Sequence, residues 1–257
     1  MKLWKLALYS VLLILSSGSS GFAGPWAVYT PADGLADTTV AAVEIDANGV
    51  KWFGTLHGGA SRFDGASWKT YAAGDGLGAN GVRVIAACRN NLIWFATGET
   101  LEDRFEGAGA VRFDGNDWKR YSVHDGLADN NVRAIVEDLD GNMWFGTEFG
   151  VSRFDGNVWK TFKTADGLAH TFILSLAVDS NGAVWAGSVG GISRFDGMSW
   201  KSWTLADGLP HQYVTAIADS GNGIVYIGTW GGGAARFDGA IWSPVRIPGE
   251  TESSLVS

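Results

Sequence analysis

Cysteine occurs once in the chain, at Cys88, so no internal disulfide can staple the fold. Cys88 aligns with Asp46, Asp138, Asp179 and Asp219 of equivalent segments, which makes it an unpaired bystander at a strand end rather than a nucleophile. Proline is scarce, with five residues, and no helix-period stretch of useful length follows residue 23. The long apolar run is confined to residues 6–15, "LALYSVLLIL", shorter than the roughly 20 residues that span a bilayer. With Lys2 and Lys5 before it and Gly21 and Ala23 after it, this run reads as a secretory signal over residues 1–23, cleaved after Ala23. The mature chain is then expected in the periplasm or outside the cell, with no membrane span after signal removal. Basic charge is also short. The formal net charge is -8, and losing two lysines with the leader takes it to -10. No basic stripe exists, which excludes nucleic acid as a partner.

What the chain has in abundance is glycine, 37 residues, and one phrase repeated five times. "RFDG" begins at Arg62, Arg112, Arg153, Arg194 and Arg236, spaced 50, 41, 41 and 42 residues apart. A tryptophan follows each time, at Trp68, Trp118, Trp159, Trp200 and Trp242, and "DGL" recurs at Asp33, Asp75, Asp125, Asp166 and Asp207. A period near forty residues suits a four-stranded propeller blade. In the third unit "NVRAIVED", "MWFGT", "VSRF" and "VWKTF" read as four strands, with "DG" as a two-residue type I′ turn between the last two. One blade cannot bury both its faces, so the repeated Phe and Trp residues are read as packing between stacked blades. The predicted fold is all-β: a β-propeller of five four-stranded blades over residues 24–248, with a short tail at 249–257. "WAVYTPADGL" (26–35) matches the fourth strand and link of a repeat, yet "WSPVRI" (242–247) ends the chain with another fourth strand. One strand is therefore surplus to a closed ring of five.

The unit "DGL..N.V..I..D..G..W.GT..G..RFDG..W" resembles the two-component regulator propeller repeat, over about residues 26–246. That family supplies blades to the exported sensor region of hybrid two-component receptors, especially those that detect carbohydrate breakdown products. The resemblance implies an exported sensory scaffold. It does not imply a complete receptor, because this sequence has no kinase domain, DNA-binding output or second membrane span. Propellers of that family commonly have more than five blades.

Positions identical in all repeats are explained by folding, so ligand contacts are sought where the repeats differ. The residues after "DGL" and after the second strand are expected on one face. They supply His57, Glu148, Phe149, His170, His211 and Trp230 as candidate ligand-binding residues. The second repeat has a loop about nine residues longer, "GETLEDRFEGAG", which adds Glu99. Trp230, flanked by glycines in "TWGGG", suits stacking on a pyranose face or plain packing. The histidines raise a metal or general-base reading against one of solvated loop residues. No spaced ligand motif supports a metal, "DLDGN" (138–142) is a turn rather than a calcium loop, and neither a cofactor nor a catalytic residue is assigned. The reading is a non-enzymatic module that binds a small molecule or oligosaccharide on its loop face. A propeller-type polysaccharide lyase or hydrolase, and a scaffold for another protein or receptor, stand as alternatives.

Overall fold

The five repeats become five four-stranded antiparallel sheets. This computed structural model describes residues 27–101 and 104–245; the leader and the C-terminal tail read from the sequence lie outside them. Blade 1 holds β1 (Val40–Ile45), β2 (Lys51–Thr55), β3 (Ala60–Phe63) and β4 (Trp68–Tyr71). Blade 2 holds β5 (Gly81–Ala87), β6 (Ile93–Leu101), β7 (Arg104–Phe113) and β8 (Trp118–Tyr121). Blade 3 holds β9 (Val132–Glu137), β10 (Met143–Thr147), β11 (Gly150–Phe154) and β12 (Trp159–Phe162). Blade 4 holds β13 (Ile173–Val178), β14 (Val184–Ser188), β15 (Gly191–Phe195) and β16 (Trp200–Trp203). Blade 5 holds β17 (Val214–Asp219), β18 (Val225–Thr229), β19 (Gly233–Phe237) and β20 (Trp242–Pro244). Strands pair in chain order, and the first strands of successive blades adjoin, so β1, β5, β9, β13 and β17 line the axis.

Each word of the repeat has a mechanical task. In "RFDG" the aspartate closes the outer hairpin: Asp155 Oδ1 accepts from the N–H of Asn157 (2.9 Å) and of Val158 (2.8 Å). The loop therefore holds four residues, 155–158, and only its glycine has positive φ, +99° at Gly156. This corrects the type I′ expectation, because that turn needs positive φ at two residues and the aspartate side chain does the closing instead. In "DGL" the aspartate folds the link. Asp166 Oδ2 accepts from the N–H of Lys163 (2.8 Å) across a short 3-10 turn at 164–166. The glycine admits the next blade: at Gly126, φ +114°, an added Cβ would lie 2.7 Å from Trp159 Cβ. The leucine then plugs the seam, with Leu77, Leu127, Leu168 and Leu209 all buried.

The second-strand tryptophans join neighbours. Trp144 of blade 3 lies 5.3 Å from Phe195 and 6.0 Å from Trp200 of blade 4, and its Nε1 donates to Asp138 Oδ2 at 2.7 Å. Asp138 Oδ1 also accepts from the N–H of Asp140 and of Asn142, so the buried carboxylate is satisfied by its own turn, as expected for "DLDGN". Trp52 and Trp185 repeat the arrangement with Asp46 and Asp179. Blade 2 breaks it. Cys88 stands in the aspartate's place, and Trp94 Nε1 is buried without a partner. The thiol packs 3.4 Å from Met143 Sδ, and burial, then the nearby Glu137 carboxylate, pushes it up to about 12.

The blades form an open arc. Packing joins β1 to β5, β5 to β9, β9 to β13 and β13 to β17, but among the described residues no comparable packing joins β17 to β1. Blade 5 shows the consequence. Tyr226, which replaces the joining tryptophan, is 37% exposed, whereas Trp94, Trp144 and Trp185 are each 1% exposed. At the other end Tyr29 covers blade 1. It lies 5.4 Å from Phe63 and 5.3 Å from Trp68, as Tyr71 lies against Phe113 and Trp118 of blade 2. Because β20 already fills the outer place of blade 5, the N-terminal segment has no sheet to complete, which accounts for the surplus strand.

Candidate functional site

One face carries the links and the turns between second and third strands. The two are tied together by backbone bonds, such as Leu56 N–H to Thr39 O (3.0 Å), Val189 N–H to Phe172 O (3.2 Å) and Trp230 N–H to Tyr213 O (2.9 Å). This is the face expected from the sequence, and we call it the upper face. Where each first strand enters from it, the pairing register slips by one residue. Such a bulge re-aims the extra side chain. The five bulged residues are Ala41, Arg83, Arg133, Leu174 and Thr215. Two neighbouring blades thus present arginine beside the axis where the others present small or neutral residues.

The second repeat's insertion is not a loop. It lengthens β6 and β7, which pair out to Leu101 opposite Arg104. Alternating residues across a paired ribbon satisfy the backbone better than a free loop would. The extended hairpin leans on both neighbours. Thr100 Oγ1 donates to Leu56 O in the turn of blade 1 (3.3 Å), and Gly107 N–H donates to Asn131 Oδ1 in the link to blade 3 (2.8 Å). It buries Phe105 and places that ring 3.9 Å from the Arg83 guanidinium carbon. Arg133 is held similarly, 4.6 Å from the Phe172 ring, and its Nε (3.1 Å) and Nη2 (2.7 Å) both donate to Glu148 Oε1. Burial, and then repulsion from Arg133, lowers Arg83 to about 10, while Glu148 works in the opposite direction.

The sequence candidates divide into three groups. Glu148 belongs to the arginine corner, and Glu99 lies on the hairpin beside it, its Oε1 accepting from Asn80 N–H at 3.1 Å. Phe149 and Trp230 project from turns on the same face, 60% and 56% exposed. The histidines are turn formers. His170 Nδ1 accepts from Phe172 N–H (2.9 Å) and His211 Nδ1 from Tyr213 N–H (3.1 Å), the bond that Asp37 and Asp129 make to Thr39 and Asn131 in other blades. His57 is exposed in the turn after β2. Among the described residues no three His, Cys, Asp or Glu side chains are grouped to hold a metal. Arg83, Phe105, Arg133 and Phe172 are the residues that the candidate set lacks. The signal for the arginines was present, because comparing the repeats just after the valine or isoleucine near the start of the first strand sets Arg83 and Arg133 against Ala41, Leu174 and Thr215.

The opposite end of the axis differs in charge. A cavity of about 330 Å³ there is lined by Glu44, Ile85, Val136, Glu137 and Val178 among others. Burial raises the Glu44 carboxyl above its ordinary range, against a lowering by the Ala87 backbone. Glu137 is engaged by Arg89 Nε at 3.2 Å.

Comparisons with known proteins agree with this architecture. The family model described as "Two component regulator propeller" matches residues 126–149. No curated protein sequence matches the chain. Among solved structures, the extracellular domain of a hybrid two-component system of B. thetaiotaomicron superposes with a TM-score of 0.71 at 22% identity, over 84% of this chain. The chain spans 29% of the length of that domain. PorZ, a surface component of the type-IX secretion system of Porphyromonas gingivalis, gives 0.63 at 17% identity, covering 84% of this chain and 34% of its own. Virginiamycin B lyase from Staphylococcus aureus gives 0.63 at 14% identity, covering 82% and 71%. At such identities these likenesses concern the fold. Among the described residues no helix is long and apolar enough to cross a membrane. Residues 126–149 match the two-component regulator propeller repeat, and the described residues fold as five four-stranded propeller blades.

Proposed function

We propose that this protein is an exported, non-enzymatic propeller that binds an oligosaccharide on its upper face and serves as a sensory or ligand-binding module. The observation that carries the reading is the corner between blades 2 and 3. There Arg83, Arg133, Phe105 and Glu148 depart from the repeat together, on one face and beside the axis. Scaffold residues recur in every blade, and these do not. The exposed Trp230 and Phe149 add flat apolar rings of the kind that pack on sugar faces. Export rests on the apolar leader of the sequence and on the extracellular setting of the hybrid two-component domain that the fold is similar to. The sugar rests on the resemblance to sensor propellers, with the exposed rings of Trp230 and Phe149 in support.

A lyase reading is supported by the likeness to virginiamycin B lyase and opposed by the histidines' turn-forming bonds, which occupy Nδ1 at both His170 and His211. A thermal-shift screen of the purified protein against an oligosaccharide library, with mass spectrometry of each mixture, separates the readings. A reproducible shift with intact sugar is the expected result. Cleaved or unsaturated product would replace the module with an enzyme. Silence across the library would remove the carbohydrate and leave a protein partner.

A further inference from the structure

The arginine corner is chemically incomplete. Two guanidinium groups sit close enough to repel, and the one carboxylate, Glu148, hydrogen-bonds Arg133 and reaches Arg83 only through space. Among the described residues Arg83 makes no ion pair and no hydrogen bond, and its Nη1 is enclosed without a partner. A partly desolvated cation with no directly paired anion is costly, and a counter-ion offsets that cost. The structure nevertheless holds Arg83 in place. A bulge turns it out of the sheet, and a lengthened hairpin brings Phe105 under its plane. A guanidinium stacked on a ring loses little freedom when it binds, which favours planar two-pronged acceptors.

We propose that the Arg83–Arg133 corner is a carboxylate-binding site, and that the ligand of the upper face is an acidic sugar chain whose uronate carboxylate it receives. This rests on, and deepens, the oligosaccharide reading. Arg83 supplies the free donors, while Arg133 supplies a second charge that Glu148 partly cancels. The presence of Glu148 selects a monoanion, since a doubly charged phosphate group would meet its negative charge at close range. The overall negative charge of the protein makes this corner the more selective, because non-specific attraction of anions elsewhere is weak.

The test is isothermal titration calorimetry of the purified protein with a galacturonate trimer, the galactose trimer of equal length, acetate and inorganic phosphate, each at two salt concentrations. The acidic trimer is expected to bind at least about tenfold more tightly than the neutral one, with affinity falling as salt rises. Arg83→Met, which keeps an apolar stem on Phe105, should lose about tenfold or more for the acidic trimer only. Should that variant fold poorly, Glu148→Gln provides the opposite sign: it frees Arg133 and should tighten the acidic trimer several-fold. Equal binding of both trimers, unaffected by Arg83→Met, overturns the carboxylate site and leaves the sugar reading standing. Binding of acetate through Arg83 with no gain from either trimer keeps the site and overturns the sugar. Phosphate binding as tightly as the acidic trimer overturns the choice of a monoanion, and no binding by any of these probes overturns the carboxylate site, while the sugar reading stands or falls with the library screen.

Discussion

Replacing Cys88 by aspartate should stabilise the protein by about 1 kcal/mol, although it puts a charge where a thiol is buried. In blades 1, 3 and 4 an aspartate at this position accepts the indole N–H of the joining tryptophan, at 3.1, 2.7 and 2.8 Å. In blade 2 the indole of Trp94 is 1% exposed and its Nε1 has no partner. Leaving such a donor unsatisfied costs about 1–3 kcal/mol. A carboxylate would also collect turn N–H groups, as Asp138 does from Asp140 and Asn142. Against this stand its own desolvation and repulsion from Glu137 and Glu44, which Arg89 partly offsets. A net gain near 1 kcal/mol corresponds to about 2–4 °C in Tm for a chain of this size. Urea denaturation of Cys88→Asp, Trp94→Phe and the double variant gives the coupling directly, expected at about 1 kcal/mol. The reciprocal change, Asp138→Cys, should cost roughly 2 kcal/mol by orphaning Trp144 Nε1. A coupling of zero, or a destabilised Cys88→Asp, would refute the claim that this aspartate acts through the tryptophan.

Four further outcomes follow from the same geometry. Gly126→Ala should destabilise by about 2 kcal/mol or more, read by denaturant titration, since it combines a left-handed φ with a collision against Trp159. Cys88, buried and raised to about 12, should resist iodoacetamide at pH 8 in the folded protein and react once urea unfolds it. The hairpin carboxyls Asp114, Asp155, Asp196 and Asp238 are held below their usual range, first by backbone N–H donors. Their contribution is full above the unfolded value of about 3.9 and disappears as pH falls through the lower folded values, so Tm should be level near neutrality and drop below about pH 4. Trp230→Ala should weaken sugar binding at unchanged Tm, because the ring is 56% exposed; a fall in Tm with retained binding would make it a packing residue.

Most of the scaffold was legible because it is written five times. Asp155, Gly156, Trp159, Asp166, Gly167 and Leu168 each perform a local task that depends on near neighbours, so residue type and spacing suffice to place them. The type I′ turn was misread because Asp155 closes a wider loop with its own side chain, an interaction that the dipeptide "DG" does not disclose. The site was less legible for a different reason. Glu99 and Glu148 differ visibly from their counterparts, but the partner of Glu148 is Arg133, fifteen residues earlier across a strand pair. Arg83 and Phe105 meet only because an insertion continues as paired strands rather than as a loop. His170 and His211 looked chemical because histidine is rare here, yet each does the work that aspartate does in other blades.

The open arc carries a mechanical consequence. In a closed ring every blade has two neighbours, and pulling any one apart strains the whole circle. Among the described residues blade 3 has two neighbours and blade 5 has one, so cohesion is graded along them like that of a stack of tiles. Unzipping begins where Tyr226 already meets water, and amides of β17 to β20 should exchange with solvent before those of β9 to β16. The arginine corner lies at the opposite limit of that gradient, between blades flanked on both sides. A ligand seated there would report on the stiffest part of the array, while the loose end remains free to move without disturbing it.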